Sequence, residues 1–379
     1  GDGDDLTILK QRVTSQWALT ANREQQGTAF VEGNMRNINI HDIQFLGTSI
    51  DNGFSQFMHL LVLNAVSDVI IQRCSFIAFR GDGLYLGATK DGHESHNERI
   101  TVKDCVFDGV NKQNRNAITI ADVNGLLISN CLFTRSTKKN MPAAIDLEPN
   151  PHGYEVTRNV VIENSRFYDL GGMIGGIGLQ FTTPQKNLKM PAVNFIIKGN
   201  MFDKVQQGIN ISHQFNSPND SSISHNIQIS NNTFSNIFNS AMLLQGLKQV
   251  RVEKNTINCS PNPIRLSETN DRGLGSNDIR FNDNIVYNGD IAINEGKRIE
   301  IGGNTLVNGW SAMFRFGPGT SSYINIHDNT ILESSKNMNK LVSINGAHKF
   351  TVNTNSWKNN NVPSRFDVND FKSKAGISH

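Results

Sequence analysis

Charged residues and long apolar runs are both scarce in this chain of 379 residues. Only 18% of the residues are charged, and the formal net charge is +2. Such a chain lacks the basic surface expected of a nucleic-acid-binding protein or of an electrostatic membrane binder. No apolar run approaches the roughly 20 residues that a membrane-spanning helix needs. We therefore expect no nucleic-acid partner and no membrane insertion. The composition is compatible with binding of an uncharged or weakly acidic polymer.

Cysteine is rare, and no convincing group of metal ligands stands out. The four cysteines lack the close paired spacing of a zinc site and are too few for a disulfide framework, so we interpret them as small core hydrophobes. Gly81-Asp82-Gly83 could bind calcium but is typical of a turn, and His93-Glu94-Ser95-His96 has no third ligand nearby. We therefore predict no metal and no cofactor.

The chain repeats one apolar frame along most of its length, and such self-similarity is the signature of a repeat architecture. About twelve copies can be recognised, with a mean spacing of about 28 residues. Two columns recur in them. The column at the predicted turn holds Ile43, Cys74, Cys105, Cys131, Ser165, Asn200, Asn232, Asn255, Asn284, Asn304, Asn329 and Asn355. The column two residues later holds Phe45, Phe76, Phe107, Phe133, Phe167, Phe202, Phe234, Ile257, Val286, Leu306, Ile331 and Trp357.

Each copy predicts three short strands: an alternating strand before the turn column, a strand that carries the Phe column, and a third strand. Short strands that recur in this way favour an all-β fold, a single-stranded right-handed parallel β-helix of about twelve coils that pair at ~4.8 Å. A leucine-rich repeat is the alternative solenoid, but its Leu-dense consensus is absent. Asparagine suits the turn column because its amide can bond to the Asn of the next coil, and the cysteines fill the same ladder.

The same frame predicts the domain organisation. Residues 1–358 form the expected β-helix domain, and the polar segment 359–379, in which the frame is lost, is interpreted as a C-terminal cap or linker. The sequence begins at Gly1 without an initiator Met, and we interpret it as a fragment whose N-terminal cap is missing.

The third strands supply the candidate binding face. Aligning them places two columns on a common outward face that we expect to be exposed, with the longest loops beside it. The first column holds Tyr85, Thr119, Asp146, Gly178, Asn210, Leu243 and Arg265, and the second holds Gly87, Ala121, Glu148, Gln180, Ser212, Gln245, Ser267 and Asn294. Amides that bond to hydroxyls and rings that cover sugar CH faces are what a polysaccharide site needs. The predicted substrate contacts are Tyr85, Tyr154, Gln180, Asn210, His213, Gln245 and Arg265.

Asp146 and Glu148 are the predicted catalytic residues. They lie at i and i+2 of one strand, so both point outward, about 6.6 Å apart at Cβ. Glycosidic hydrolysis needs a proton donor and a second carboxylate as base or nucleophile, and this spacing suits both retaining and inverting geometries. We expect Glu148 to be the acid, because Pro149 and the loop beyond could desolvate it and raise its pKa, and Asp146 to be the base.

Three alternatives stay open at this point. The two carboxylates could be solvated residues without a catalytic role. The chemistry could be β-elimination on a uronic-acid polymer, with Arg265 and Arg315 as the cations that stabilise the enolate-like carboxylate. The face could also bind glycan without cleaving it, as in an adhesin.

The coils from Asn37 to Trp357 resemble the pectate-lyase-like right-handed β-helix superfamily. More narrowly, Ile145-Asp146-Leu147-Glu148-Pro149-Asn150, set among uneven coils with loops, is similar to bacteriophage tailspike depolymerases. That resemblance implies a homotrimer on the virion tail that binds and cleaves bacterial capsular or surface polysaccharide through groove carboxylates; a bacterial protein of this kind would be secreted. The calcium-binding Asp cluster and Arg base of pectate lyases have no counterpart in the chain. A polysaccharide-cleaving glycoside hydrolase is therefore the predicted function.

Overall fold

The computed structural model of the chain describes residues 7–10, 26–32, 35–87, 95–111, 114–148, 155–181, 190, 192–213, 225–259, 264–268, 275–309, 312–333, 340–359 and 362–366. Strands dominate these ranges, and within them a single short helix is found. The chain divides into two compact units, Gly1–Gln206 and Gln207–His379.

In the first unit the helix α1 covers Ser49–Asn52. The strands of this unit are, in chain order, β1 Ile8–Lys10, β2 Gln26–Glu32, β3 Arg36–His41, β4 Gln44–Leu46, β5 Met58–Asn64, β6 Ser67–Gln72, β7 Ser75–Ile77, β8 Leu84–Gly87, β9 Glu98–Lys103, β10 Val106–Asp108, β11 Ile118–Ile120, β12 Val123–Ser129, β13 Leu132–Thr134, β14 Ala143–Leu147, β15 Thr157–Glu163, β16 Arg166–Phe181 and β17 Phe195–Lys198. The next strand, β18 Met201–His213, contains the boundary between the units.

The strands of the second unit are, in chain order, β19 Ile227–Ser230, β20 Thr233–Ile237, β21 Met242–Gln245, β22 Lys248–Glu253, β23 Thr256–Cys259, β24 Ile264–Glu268, β25 Ser276–Asn282, β26 Ile285–Tyr287, β27 Ile291–Ile293, β28 Gly296–Gly302, β29 Thr305–Val307, β30 Ala312–Phe316, β31 Thr320–His327, β32 Thr330–Glu333, β33 Lys340–Ile344, β34 Ala347–Asn353, β35 Asn355–Asn359 and β36 Val362–Phe366.

Equivalent strands of successive coils pair in parallel, which confirms the predicted parallel β-helix. The alternating strands β3, β6, β9, β12, β15 and β17 pair in this order in the first unit. In the second unit the corresponding order is β19, β22, β25, β28, β31 and β34. Parallel connections of this kind are right-handed in nearly all proteins. The number of coils in the whole chain stays a prediction.

The Phe column of the first unit is a continuous stack inside the coils. Adjacent rings lie 4.6 to 5.1 Å apart between centroids, from Phe45 through Phe76, Phe107, Phe133 and Phe167 to Phe202. These spacings equal the distance between paired strands, so each ring fills one layer of the core. The predicted column of core aromatic residues is confirmed.

The turn column of the second unit is an asparagine ladder, as predicted. The Asn284 amide donates to Oδ1 of Asn304 at 3.1 Å, and Asn304 donates to Asn329 at 2.8 Å. The left-handed backbone falls one residue before the ladder position, for example at Asp283 and Asp328, and allows the chain to turn there. In the first unit Cys74, Cys105 and Cys131 occupy the column as buried free thiols, which confirms that they are small core residues.

At the C-terminal end of the second unit the pairing changes direction. The strand β35 pairs in parallel with β32, but β36 pairs with β35 in antiparallel fashion, with Trp357 opposite Ser364. The predicted boundary at residues 358 and 359 falls within β35 and stays a prediction.

Candidate active site

The outward column of the third strands in the first unit has the predicted register. Tyr85 on β8 pairs with Thr119 on β11, Thr119 pairs with Asp146 on β14, and Asp146 pairs with Gly178 on β16. On β5 the same position is Val62. The apolar alternation on the other side of these strands sets this register, because a slip by one residue would turn Ile145 and Leu147 away from the core.

This outward face is buried, which corrects the expectation of an exposed polar floor. The exposed fraction is 2% for Thr119 and Asp146 and 8% for Tyr85. The Tyr85 ring lies in an apolar cluster with Val62 and Ala121, and it stacks on His59 with centroids 4.8 Å apart. The alternation of the strand predicted that these side chains point away from the core, but it carries no information about what packs on them.

A guanidinium links the charged groups of this cluster. Arg115 donates to Oδ2 of Asp82 at 2.7 Å, to Oγ1 of Thr119 at 3.1 Å and to Oε2 of Glu148 at 3.2 Å. Asp82 is fully buried and also accepts the backbone N–H of Asn116 at 3.1 Å. Arg115 therefore lies between a buried carboxylate and Glu148, whose side chain is 44% exposed.

Asp146 has a different set of neighbours from Glu148. The Asn116 amide donates to Oδ2 of Asp146 at 3.0 Å and to Oγ1 of Thr119 at 2.9 Å. Asn116 is fully buried, so its orientation is fixed by these bonds. One carboxyl of the predicted pair is thus held by a neutral amide inside the protein, and the other is held by a guanidinium at the edge of the cluster.

The pKa values of Asp146 and Asp82 are shifted in opposite directions. Burial, and then the negative charge of Glu148, raise the pKa of Asp146 to about 8, although Arg115 acts in the opposite direction. Burial also acts to raise the pKa of Asp82, but Arg115 and His59 outweigh it and hold that pKa below its ordinary value. Asp146 is therefore protonated near neutral pH and Asp82 is ionised. The desolvation that we expected at Glu148 falls on Asp146 instead.

The other predicted contacts occupy varied positions. In the second unit, Asn210 on β18, Gln245 on β21 and Arg265 on β24 are half-buried residues of the third strands. His213 ends β18 and is buried, with its Nδ1 3.3 Å from Nε2 of His225, so it does not form an exposed wall. Tyr154 lies outside the described residues, as does the side chain of Gln180.

Sequence reasoning missed Arg115 and Asn116 and treated Asp82 as a turn residue. All three precede third strands, outside the repeated frame. A signal was nevertheless available, because Asp82 and Asn116 each stand two residues before the first apolar residue of their strands, Leu84 and Ile118. Polar residues at equivalent positions of adjacent coils lie next to each other, as the Asn116 to Asp82 hydrogen bond shows.

The described residues contain neither a group of metal ligands nor a membrane-spanning helix. Among them, no group of three or more His, Cys, Asp or Glu side chains is placed to hold a metal ion. No helix within the described ranges has the length and apolar character needed to cross a membrane.

Comparisons with known proteins give structural likeness only. No family model matches the sequence. No curated protein matches it either. The A-module of an Azotobacter vinelandii mannuronan C-5 epimerase is 13% identical, with a TM-score of 0.48 over 93% of this chain and 81% of that chain. An alginate lyase is 11% identical, with a TM-score of 0.48 over 97% and 93%. The Streptococcus pneumoniae surface adhesin PfbA is 12% identical, with a TM-score of 0.49 over 81% and 86%.

The class of protein is therefore set by the strand pairing itself. The chain is a parallel β-helix protein. Its outward third-strand face carries Arg115 with two buried carboxyls, Asp82 and Asp146, and the half-exposed Glu148.

Proposed function

We propose that this protein is a glycoside hydrolase that cleaves a bacterial surface polysaccharide, with Asp146 and Glu148 as its catalytic residues. The observation that supports this proposal is the unequal environment of the two carboxyls. Asp146 is buried and accepts a hydrogen bond from the Asn116 amide, whereas Glu148 is paired with Arg115. Pairs of carboxyl groups whose surroundings push their pKa values apart are the usual acid and base of glycosidases.

In this proposal the roles expected from the sequence are exchanged. Asp146, which keeps its proton near neutral pH, donates it to the glycosidic oxygen as the bond to the anomeric carbon breaks. Glu148 is the base that activates water, or the nucleophile that attacks the anomeric carbon. The water supplies the new hydroxyl at that carbon, so the product has a new reducing end. Asp146 exposes only 2% of its surface, so this scheme requires the glycosidic oxygen to contact that small exposed part of the side chain.

Arg115 has a positioning role in this scheme. Its hydrogen bond fixes the direction of the Glu148 carboxyl, while a second hydrogen bond to Asp82 holds the guanidinium in place. Tyr85, Asn210, Gln245 and Arg265 are proposed glycan contacts, although the burial of Tyr85 makes it the weakest of the four.

The test is cleavage of purified bacterial capsular and O-antigen polysaccharides by the wild type, Asp146→Asn and Glu148→Gln. New reducing ends and the ultraviolet absorbance of unsaturated uronates are followed together. We expect reducing ends without absorbance, and a loss of rate of at least about a hundredfold in each variant. Glu98→Gln is the matched control, because Glu98 is 37% exposed and is also paired with an arginine, Arg99. Full activity in both site variants would contradict the proposal.

A polysaccharide lyase is the second candidate, and one observation favours it. The Arg115 guanidinium stands beside the carboxylates, where it could neutralise the carboxylate of a uronic acid during β-elimination. An unsaturated product in the same assay would identify this chemistry. Binding of a polymer without either product would instead identify a glycan-binding adhesin.

The biological setting proposed here is the tail of a bacteriophage, where a homotrimer would act on the host surface; secretion by a bacterium is the alternative. Sedimentation analysis of the purified chain tests the trimer. A monomer at micromolar concentration would contradict that part of the proposal.

A further inference from the structure

The second unit carries a column of outward residues with a different character from that of the first. Arg265 on β24 pairs with Ala292 on β27, and Ala292 pairs with Arg315 on β30. The two arginines therefore stand at the same position two coils apart, about 10 Å at the backbone. Ala292 lies between them and has no side chain that could fill the gap.

A β-bulge adds a carboxyl to this column. The register of β24 shifts after Arg265, so that Gln245 on β21 pairs with Glu268 rather than with Ser267. Ser267, which the sequence alignment placed in the outward column, is fully buried, and its hydroxyl accepts the backbone N–H of Ser276 at 2.8 Å. One extra residue in a strand turns the following side chain to the other face, and here it brings Glu268 beside the arginines.

The floor of this column is built from small and neutral groups. Asn294 follows β27, and its amide donates to the Glu268 carboxylate. Its own side chain lies where a Cβ at Gly317 would be, since such an atom would come within 1.7 Å of the Asn294 Oδ1. Gly317 therefore leaves room for the Asn294 amide, two residues beyond Ala292 in the coil between those of the two arginines.

The two guanidiniums of this column already have carboxyl neighbours. Arg315 is 45% exposed and lies 3.6 Å from Oδ2 of the fully buried Asp290. Glu268 is half-buried, and both Arg265 and Arg315 act on its carboxyl. Burial nevertheless raises the pKa of Glu268 above its ordinary value, so this carboxylate is a poorly solvated partner for the two guanidiniums. An anion from solution could replace it.

We propose that Arg265 and Arg315 form a binding site for the acidic groups of an anionic polysaccharide, with Ala292 and the Asn294 amide as its floor. Guanidiniums bind carboxylate and phosphate oxygens with paired hydrogen bonds, and both anions occur on sugars. A spacing of two coils is comparable with the length of a disaccharide, so the site suits a polymer with an acidic group on alternate sugars. Glu268 is an internal competitor for the same guanidiniums.

This inference rests on the proposed function only in taking a polysaccharide as the ligand. It does not depend on cleavage, since it concerns residues of the second unit and is measured by binding. Anionic-polymer binding that depends on Arg265 and Arg315 would support it even if hydrolysis is never observed.

The test measures the affinity of the full chain for three polymers by titration calorimetry. Polygalacturonate supplies carboxylates, a poly(glycerol phosphate) supplies phosphates, and dextran is the neutral control. We expect binding to at least one of the anionic polymers, weakened by added salt, and none to dextran. The stronger of the two anionic polymers identifies the preferred anion.

Four variants decide whether the arginine column is the site. Arg265→Gln and Arg315→Gln should each weaken binding roughly tenfold through the loss of charge-assisted hydrogen bonds. Glu268→Gln should strengthen it about threefold, because it removes the competing charge, and unfolding cannot produce such a gain. Arg280→Gln is the matched control, since Arg280 is an exposed arginine of β25 paired with Glu300.

The proposal would be overturned by any of three results. These are an absence of binding to both anionic polymers, equal binding by the wild type and both arginine variants, and an equal loss in Arg280→Gln. The last result would mean that the net charge of the unit, rather than this column, attracts the polymer.

Discussion

The first unit contains the same ion pair in two environments. Asp68 and Arg99 join adjacent coils at a corner, with N–O distance 2.6 Å, and both side chains are largely exposed. Asp82 and Arg115 join adjacent coils at 2.7 Å, but there the aspartate is fully buried and the arginine is 15% exposed. The two N–O distances are nearly identical. The two pairs differ in solvation. The exposed pair lies in water, whereas the charges of the buried pair act on the pKa of the neighbouring Asp146.

The largest expected difference between the two ion pairs is in the free energy of unfolding that is lost when the aspartate is removed. Asp82→Ala leaves the Arg115 guanidinium without its buried partner, and we expect a loss of roughly 3–5 kcal/mol in the free energy of unfolding. Asp68→Ala should change it little, because water solvates Arg99. Urea denaturation of both variants measures the contrast. Similar losses in the two variants would show that the buried cluster has no special energetic role.

The pH dependence of stability should distinguish Asp146 from an exposed carboxylate. The pKa of Asp146 is raised from 3.8 to about 8, so the stability that its proton provides is fully present below about pH 4 and is lost as the pH rises through about 8. Asp146→Asn cannot ionise. Relative to the wild type, it should therefore become steadily more stable between pH 4 and pH 8, by up to about 1.4 kcal/mol per pH unit.

Asp68→Asn is the control for this measurement. The pKa of Asp68 is lowered, chiefly by the hydrogen bond from Arg99, so its contribution is present above its ordinary value and is lost only as the pH falls. The difference between Asp68→Asn and the wild type should stay constant between pH 4 and pH 8. A constant difference for Asp146→Asn as well would mean that Asp146 is ionised in the folded protein.

In the second unit, the loss of stability on removing an asparagine side chain should be larger for a buried amide than for one at the surface. Asn284 lies inside the ladder and bonds to Asn304, Asn255 and the carbonyl of Val252. Asn284→Ala leaves these groups unpaired, and we expect a loss of about 1–3 kcal/mol. Asn325 on β31 accepts a hydrogen bond from Thr351 at the surface, so Asn325→Ala should cost less. Equal midpoints in urea would contradict this ranking.

The repeated frame predicted the coils, the Phe stack, the ladder and the register of Tyr85, Thr119 and Asp146. It did so because parallel pairing places equivalent residues of successive coils side by side, so apolar periodicity alone fixes the layers. The same reasoning failed for Ser267, where a bulge broke the register locally.

The chemistry of the site was harder to predict. The sequence showed that Asp146 and Glu148 share a face, but it did not show that this face is covered. Burial depends on segments outside the frame, and so does Arg115, which enters the cluster from the connection before β11. The proposed roles of acid and base depend on which of the two carboxyls is desolvated. The positions of Asp146 and Glu148 along one strand do not reveal this.

The most direct test of the account is the pH profile of polysaccharide cleavage by the wild type. If Asp146 donates the proton, the rate should fall as the pH rises through about 8, because the donor is then ionised. Asp146→Asn should be at least about a hundredfold slower at pH 7, while it still binds the polymer. A rate that does not decline above pH 8, or an Asp146→Asn variant with wild-type activity, would contradict the assignment of Asp146 as the acid.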